Sequence, residues 1–127
     1  INIASVSGRL GSVTNVAYAA SKASVINLTQ TWSVQLAGFN INVNSVCPGL
    51  LWTPMWMRIA TRFGTIPNYH TGKSPRDVFE EEVLRRIPLQ REQTPEDIGN
   101  AVTFLACDHS QNITGQSLNV SGGSHMN

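Results

Sequence analysis

The sequence predicts an α/β fold, part of a doubly wound parallel sheet, formed by one unit over residues 1–127. Three observations carry that prediction. Short apolar runs at residues 1–5, 41–47 and 117–120 have the length of strands. The stretches between them place apolar residues at three- and four-residue steps, the spacing of helices. Strand, helix and strand in succession make a parallel crossover unit, expected to be right-handed.

The first run, Ile1-Asn2-Ile3-Ala4-Ser5, opens without Met and reads as the interior or end of a strand. Residues 16–37 lack Gly and Pro, and Val25, Leu28, Thr29, Trp32 and Leu36 recur on one helical face, with Gly38 as the expected stop. In residues 41–47, Ile41, Val43 and Val46 alternate with Asn before Pro48-Gly49, the pattern of a strand closed by a turn. Residues 50–73 are irregular and aromatic, with Trp52, Trp56, Phe63 and Tyr69 broken by Pro54, Gly64, Pro67 and Gly72. A lid spanning about residues 50–88 is expected there. Its charged helix, residues 74–86, has Pro75 in the first turn and ends before Pro88. A further helix starts at Thr94-Pro95-Glu96-Asp97, where a capping hydroxyl, a Pro and two acids suit a helix N-terminus, and Ile98, Ala101, Val102 and Leu105 form its apolar face. Residues 108–115 turn, and residues 117–120 make the last strand, closed by Gly122-Gly123. Alone, this set leaves a strand edge and an apolar face uncovered, so it reads as part of a domain.

Composition narrows the function. Nine Lys and Arg against eight Asp and Glu give no basic surface for nucleic acid, and Arg85 and Arg86 follow Glu80, Glu81 and Glu82 on a solvated helix face. Cys47 and Cys107 are too few and too distant for a metal knuckle or disulfide framework, and read as reduced thiols of a cytoplasmic protein. The three His share no ligand spacing, and no apolar stretch is long enough to span a membrane. No metal, nucleic acid or membrane is expected as a partner.

Chemistry concentrates near the start of the long helix. Tyr18-Ala19-Ala20-Ser21-Lys22 puts a phenol and an ammonium one turn apart on the same face. An isolated phenol holds its proton too tightly for efficient transfer at neutral pH, and a nearby cation eases its release. Ser5 lies thirteen residues before Tyr18. Further along stand Asn42-Val43-Asn44-Ser45-Val46-Cys47-Pro48-Gly49, Thr53-Pro54-Met55, Thr94-Pro95-Glu96-Asp97-Ile98, Thr114-Gly115-Gln116 and Val120-Ser121-Gly122-Gly123. In this order the segments resemble the short-chain dehydrogenase/reductase family, whose domain is Rossmann-like, over nearly the whole chain.

The resemblance implies an NAD- or NADP-dependent oxidoreductase that interconverts a secondary alcohol and a ketone. Tyr18 is then the proton donor or acceptor to the substrate oxygen, Lys22 assists Tyr18 and bonds the nicotinamide ribose, and Ser5 bonds the carbonyl or alcohol oxygen. Ala4 departs from the family's frequent second Ser, which leaves Ser5 in place. Pro48 and Gly49 end the strand that abuts the nicotinamide, while the backbone of Leu51 and the hydroxyl of Thr53 match positions that bind its carboxamide. Trp52, Met55 and Trp56 stand where the substrate loop begins, and suit either the walls of a compact apolar pocket or the packing of the lid itself. Residues 53–91 resemble the branch that acts on polyols and small hydroxyketones. The resemblance also implies a homodimer or homotetramer paired through the helix bearing Tyr18. It makes the chain the C-terminal part only of the domain and places the missing N-terminal half, with the Gly-rich dinucleotide motif, the residue that chooses NAD or NADP, and a catalytic Asn, upstream of Ile1. Two other readings stay open: an inactive remnant serving as a structural or interaction module, and an epimerase or dehydratase of the same fold.

Overall fold

Strands β1 (Asn2–Ile3), β2 (Ser45–Pro48) and β3 (Ser117–Val120) form one parallel sheet in the order β1-β2-β3 in the computed structural model, which describes residues 1–126. Asn2 pairs with Ser45, and the register of β2 on β3 runs from Ser45–Ser117 to Pro48–Val120. Helix α1 (Val16–Leu36) connects β1 to β2, and α2 (Pro54–Phe63), α3 (Pro75–Arg86) and α4 (Pro95–Ala106) lie between β2 and β3. The expected α/β order therefore holds. The middle strand is the most deeply covered, with Val46 and Cys47 fully buried, whereas Ile3 on β1 is 47% exposed.

Helix α1 ends at Leu36, but Gly38 does not stop it. A 3-10 turn, Ala37–Phe39, continues through Gly38, and the chain breaks at Asn40, whose φ of 57° is left-handed and whose N–H donates to the Ala37 carbonyl. The face that α1 buries matches the expected stripe only in part. Thr29 is buried and Val25 and Leu36 are half-buried, but Ala19 and Ser33 are buried as well, while Leu28 and Trp32 stand 39% and 40% exposed. Small residues win because the helix lies close on the sheet: Thr29 Oγ1 accepts from Asn2 Nδ2 at 3.0 Å and donates to the Val25 carbonyl.

β2 begins at Ser45, later than the alternation implied. The Asn residues before it act as pins to the turn that precedes β3. Asn42 Nδ2 donates to the Ser110 and Gln111 carbonyls; fully buried Asn44 donates to the Ile113 carbonyl at 2.7 Å and accepts from Gln116 N at 2.9 Å. Val43 N likewise donates to Thr114 Oγ1 at 3.0 Å, so side chains take over part of the ladder and residues 41–44 stay outside the strand, although the Val43 and Asn44 carbonyls still accept from Gly115 N and Asn2 N.

The segment read as irregular contains helix α2. Thr53 caps it by accepting from Trp56 N at 3.3 Å, and Pro54 opens it. Trp56 and Ala60 are buried four residues apart and, with partly buried Ile59 and Phe63, give α2 a face against α3. Phe79, Val83 and Ile87 of that second face are buried, and Phe79 meets Trp52 and Trp56 at ring centroid distances of 5.1 and 5.3 Å. Burying each such aromatic is worth roughly 1.5–3 kcal/mol, which gives the α2–α3 pair its own small core. Both α3 and α4 start with reciprocal caps, Ser74 with Asp77 and Thr94 with Asp97. Among the described residues no helix is long and apolar enough to cross a membrane.

Candidate active site

The C-terminal ends of β1 and β2, the first turns of α1 and one flank of α2 enclose an open cleft of about 430 Å³. Ser5 leaves β1 in extended conformation, and its hydroxyl accepts from Ser7 N at 3.1 Å, capping the 3-10 turn Val6–Gly8. The side chain is thereby buried and fixed, while its own O–H remains able to donate. The turn packs directly on α1. A Cβ placed on Gly8 would lie 2.6 Å from the Lys22 carbonyl carbon and 2.8 Å from Ala23 N, so Gly at this position permits the contact.

Tyr18 lies in the first turn of α1 and Lys22 one turn later. Lys22 Nζ donates to the Ile3 carbonyl at 3.0 Å and stands 5.8 Å from the centroid of the Tyr18 ring. One bond from the ammonium thus ties α1 to β1 and leaves two N–H donors. The Tyr18 hydroxyl has no hydrogen-bond partner among the described residues, and Tyr18 lines the cleft with Ser5 and Lys22.

The opposite wall is the segment that leaves β2. Pro48, Gly49, Leu51 and Thr53 all line the cleft, as do Met55 and Trp56 at the start of α2. Trp52 does not: its ring lies against Phe79 and under the Arg76 guanidinium, 5.2 Å from its centroid. Of the two uses open to Trp52, the structure shows lid packing. Hydrogen bonds to Glu92 and Glu80 hold Arg76 charged and raise it above its ordinary range, which keeps the cation fixed over the ring.

Several contributors carry no motif. Asn15, Arg58 and Ile59 also line the cleft. Gln93, buried just before the Thr94 cap, holds the wall in position: its Oε1 accepts from Leu50 N at 2.8 Å and its own N–H donates to the Leu50 carbonyl at 3.1 Å. The same Oε1 would be 2.4 Å from a Cβ on Gly49, so packing alone already requires Gly there. A Gln preceding a helix cap is the only sequence signal for this role.

Behind the cleft, fully buried Glu82 of α3 accepts from Tyr69 Oη at 2.8 Å and from the Arg85 and Arg86 guanidinium groups. Burial pushes its carboxyl upward, but the Arg85 and Tyr69 hydrogen bonds and the nearby positive charges outweigh it and hold Glu82 below the usual carboxylate range. His70 sits between Glu82 and Glu81, at 3.3 and 2.9 Å. This network clasps the segment after α2 onto α3.

A family model described as enoyl-(acyl carrier protein) reductase matches residues 1–125. The 3-oxoacyl-[acyl-carrier-protein] reductase of Thermotoga maritima is 42% identical over 123 residues, 97% of this chain and 44% of its own length. Among solved structures, an actinorhodin polyketide ketoreductase variant with NADPH superposes with a TM-score of 0.84 at 32% identity, covering 97% of this chain and 45% of that one. A sorbitol-6-phosphate 2-dehydrogenase from Erwinia amylovora gives a TM-score of 0.85 at 34% identity over 98% and 47% of the two chains. The chain spans less than half the length of each of these proteins.

Proposed function

The chain belongs to the short-chain dehydrogenase/reductase family, and from that membership we propose that it is the catalytic part of an NAD- or NADP-dependent oxidoreductase interconverting a secondary alcohol and a ketone. The observation that carries the reading is the gathering of Ser5, Tyr18 and Lys22, from two separate elements, on one side of a cleft whose other side is the segment Pro48 to Thr53.

The cleft suits a nicotinamide nucleotide. Lys22 keeps two donors after its bond to Ile3, Thr53 keeps its hydroxyl proton after accepting from Trp56, and among the described residues no carboxylate lines the space to repel phosphate. Lys22 would hold the ribose, with Pro48, Gly49, Leu51 and Thr53 along the ring and its carboxamide. When bound, the cofactor supplies or accepts the hydride. In the reducing direction Tyr18 Oη gives its proton to the substrate oxygen as the carbonyl becomes an alkoxide, and the resulting phenolate is stabilised by Lys22 and reprotonated from solvent. Ser5 Oγ donates to the same oxygen and stabilises its growing charge. Met55 and Trp56 wall the substrate side.

The substrate proposed from residues 53–91 is a polyol or small hydroxyketone, a reading favoured by the likeness to a sorbitol-6-phosphate 2-dehydrogenase. The 42% identity to a 3-oxoacyl-[acyl-carrier-protein] reductase favours a 3-oxoacyl thioester as the second reading. In the intact protein, Tyr18→Phe removes only the hydroxyl, so turnover is expected to fall at least ~100-fold with nicotinamide affinity kept within a few-fold. Near wild-type turnover would remove Tyr18 from the reaction. An intact protein that binds no nicotinamide would instead favour the interaction-module reading, and turnover without net nicotinamide oxidation or reduction would favour an epimerase or dehydratase.

We also propose assembly as a dimer or tetramer through α1. Leu28, Trp32 and Val34 stand exposed along this helix, Val34 at 78%. Sedimentation of the intact protein at micromolar concentration is expected to show the oligomer, and a strict monomer would contradict it.

A further inference from the structure

Charge is segregated along this chain. All eight Asp and Glu fall between Asp77 and Asp108, while residues 1–76 hold Arg9, Lys22, Arg58, Arg62, Lys73 and Arg76 and no acid. Among the described residues the cleft draws its lining from residues 3–59, so its charged side chains there are the two cations Lys22 and Arg58. Most cations of the first segment have partners: Lys73 and Arg76 pair with glutamates, Arg9 bonds Asn119 and the Ser117 carbonyl, and Lys22 bonds Ile3. The guanidinium groups of Arg58 and Arg62 have no hydrogen bond or ion pair among the described residues.

These two arginines stand at i and i+4 on α2, about 6 Å apart along its axis and on the same face. Like charges at that spacing repel, and α3 shows the usual remedy, since its three arginines are all paired with glutamates. Helix α2 contains no acid to do the same. Its flank thus lines the cleft with three apolar residues, Met55, Trp56 and Ile59, beside an unneutralised cation. That pattern fits a ligand whose carbon chain ends in an anion. Arginine's planar fork of N–H donors matches a phosphate better than a point charge does.

We infer that Arg58, backed by Arg62, binds a phosphate on the tail of the substrate, so that the site prefers phosphate-bearing alcohols or ketones to their uncharged counterparts. The inference rests on the oxidoreductase reading above and names the substrate class of that same site. Two sources share the chemistry, a sugar phosphate and the phosphate-bearing arm of an acyl thioester.

The test compares matched pairs in the intact protein with saturating nicotinamide: sorbitol 6-phosphate against sorbitol, and acetoacetyl-coenzyme A against acetoacetyl-N-acetylcysteamine. The expected result is a phosphate preference in one pair, which identifies the source. Arg58→Ala should raise KM for that substrate about tenfold or more with kcat within about twofold, because a charge-assisted contact is worth at least a factor of about ten. The uncharged member and the nicotinamide should keep their KM values, Arg58→Lys should restore part of the loss, and added salt should erode the preference. Both arginines are exposed or unpaired on a helix where Ala is the better former, so the variants fold. Turnover without phosphate preference, an equal loss on both members of a pair, or a raised nicotinamide KM overturns this inference alone. Absence of hydride transfer with every member of both pairs overturns the oxidoreductase reading together with it.

Discussion

Replacing Gly8 by Ala tests whether the turn after Ser5 positions the site. The added methyl would meet the backbone of α1, with Lys22 C at 2.6 Å and Ala23 N and Lys22 O at 2.8 Å. Ordinary carbon contacts lie near ~3.5–4 Å, so one partner must retreat by about 1 Å. The 21-residue helix α1 is the stiffer partner, and the three-residue turn Val6–Gly8 will move. Ser5 caps that turn and moves with it, away from Tyr18 and Lys22. Overpacking of this kind costs roughly 1–3 kcal/mol of stability. A displacement near 1 Å in a reacting constellation lowers kcat by about 100-fold. Gly11→Ala is the control, since nothing lies within 4 Å of its added Cβ and its backbone is not left-handed. Steady-state turnover and urea unfolding of both variants in the intact protein provide the comparison. Gly8→Ala with the kcat and stability of Gly11→Ala would refute the argument that turn packing on α1 sets the place of Ser5.

Lys22→Met is expected to weaken nicotinamide binding and lower kcat together, because one ammonium faces the cleft, Tyr18 and the β1 carbonyl at Ile3; a fluorescence titration plus turnover rates check it, and unchanged values of both would contradict the dual role. Glu82→Gln should cost roughly 1–3 kcal/mol at neutral pH, below the cost of a fully buried pair because both arginines can turn to solvent. A carboxyl held low in the fold contributes stability that is full above its unfolded value near 4.5 and lost as pH falls through the lower folded value. The wild-type protein should therefore lose stability below about pH 4.5 more steeply than Glu82→Gln; parallel acid-unfolding curves would show that Glu82 is not the group responsible.

How much was legible from the sequence divides along physical lines. Element order followed from periodicity, and the helix starts at Ser74-Pro75 and Thr94-Pro95 followed from local capping chemistry that needs no tertiary partner. The proximity of Tyr18 and Lys22 is likewise fixed by helical geometry alone. The same Thr-Pro signal stood at Thr53-Pro54, yet aromatic and Gly-rich neighbours masked α2, whose Trp56 and Ala60 face becomes recognisable only against Phe79 and Val83 of α3. Apolarity misassigned part of the buried face of α1, because close approach to the sheet selects the small residues Ala19 and Ser33 over Leu28 and Trp32, while Thr29 of the expected face is buried. Gln93 at the wall of the cleft, Asn44 as a pin, and Trp52 turned onto Arg76 and Phe79 all depend on partners at least 24 residues away in sequence or across an element boundary. The sequence by itself determined the elements and the paired phenol and ammonium, since caps, periodicity and i to i+4 spacing act within a turn or two of chain. Tertiary structure alone decided which side chains share the cleft, because that depends on contacts between elements whose distance in space no local pattern encodes.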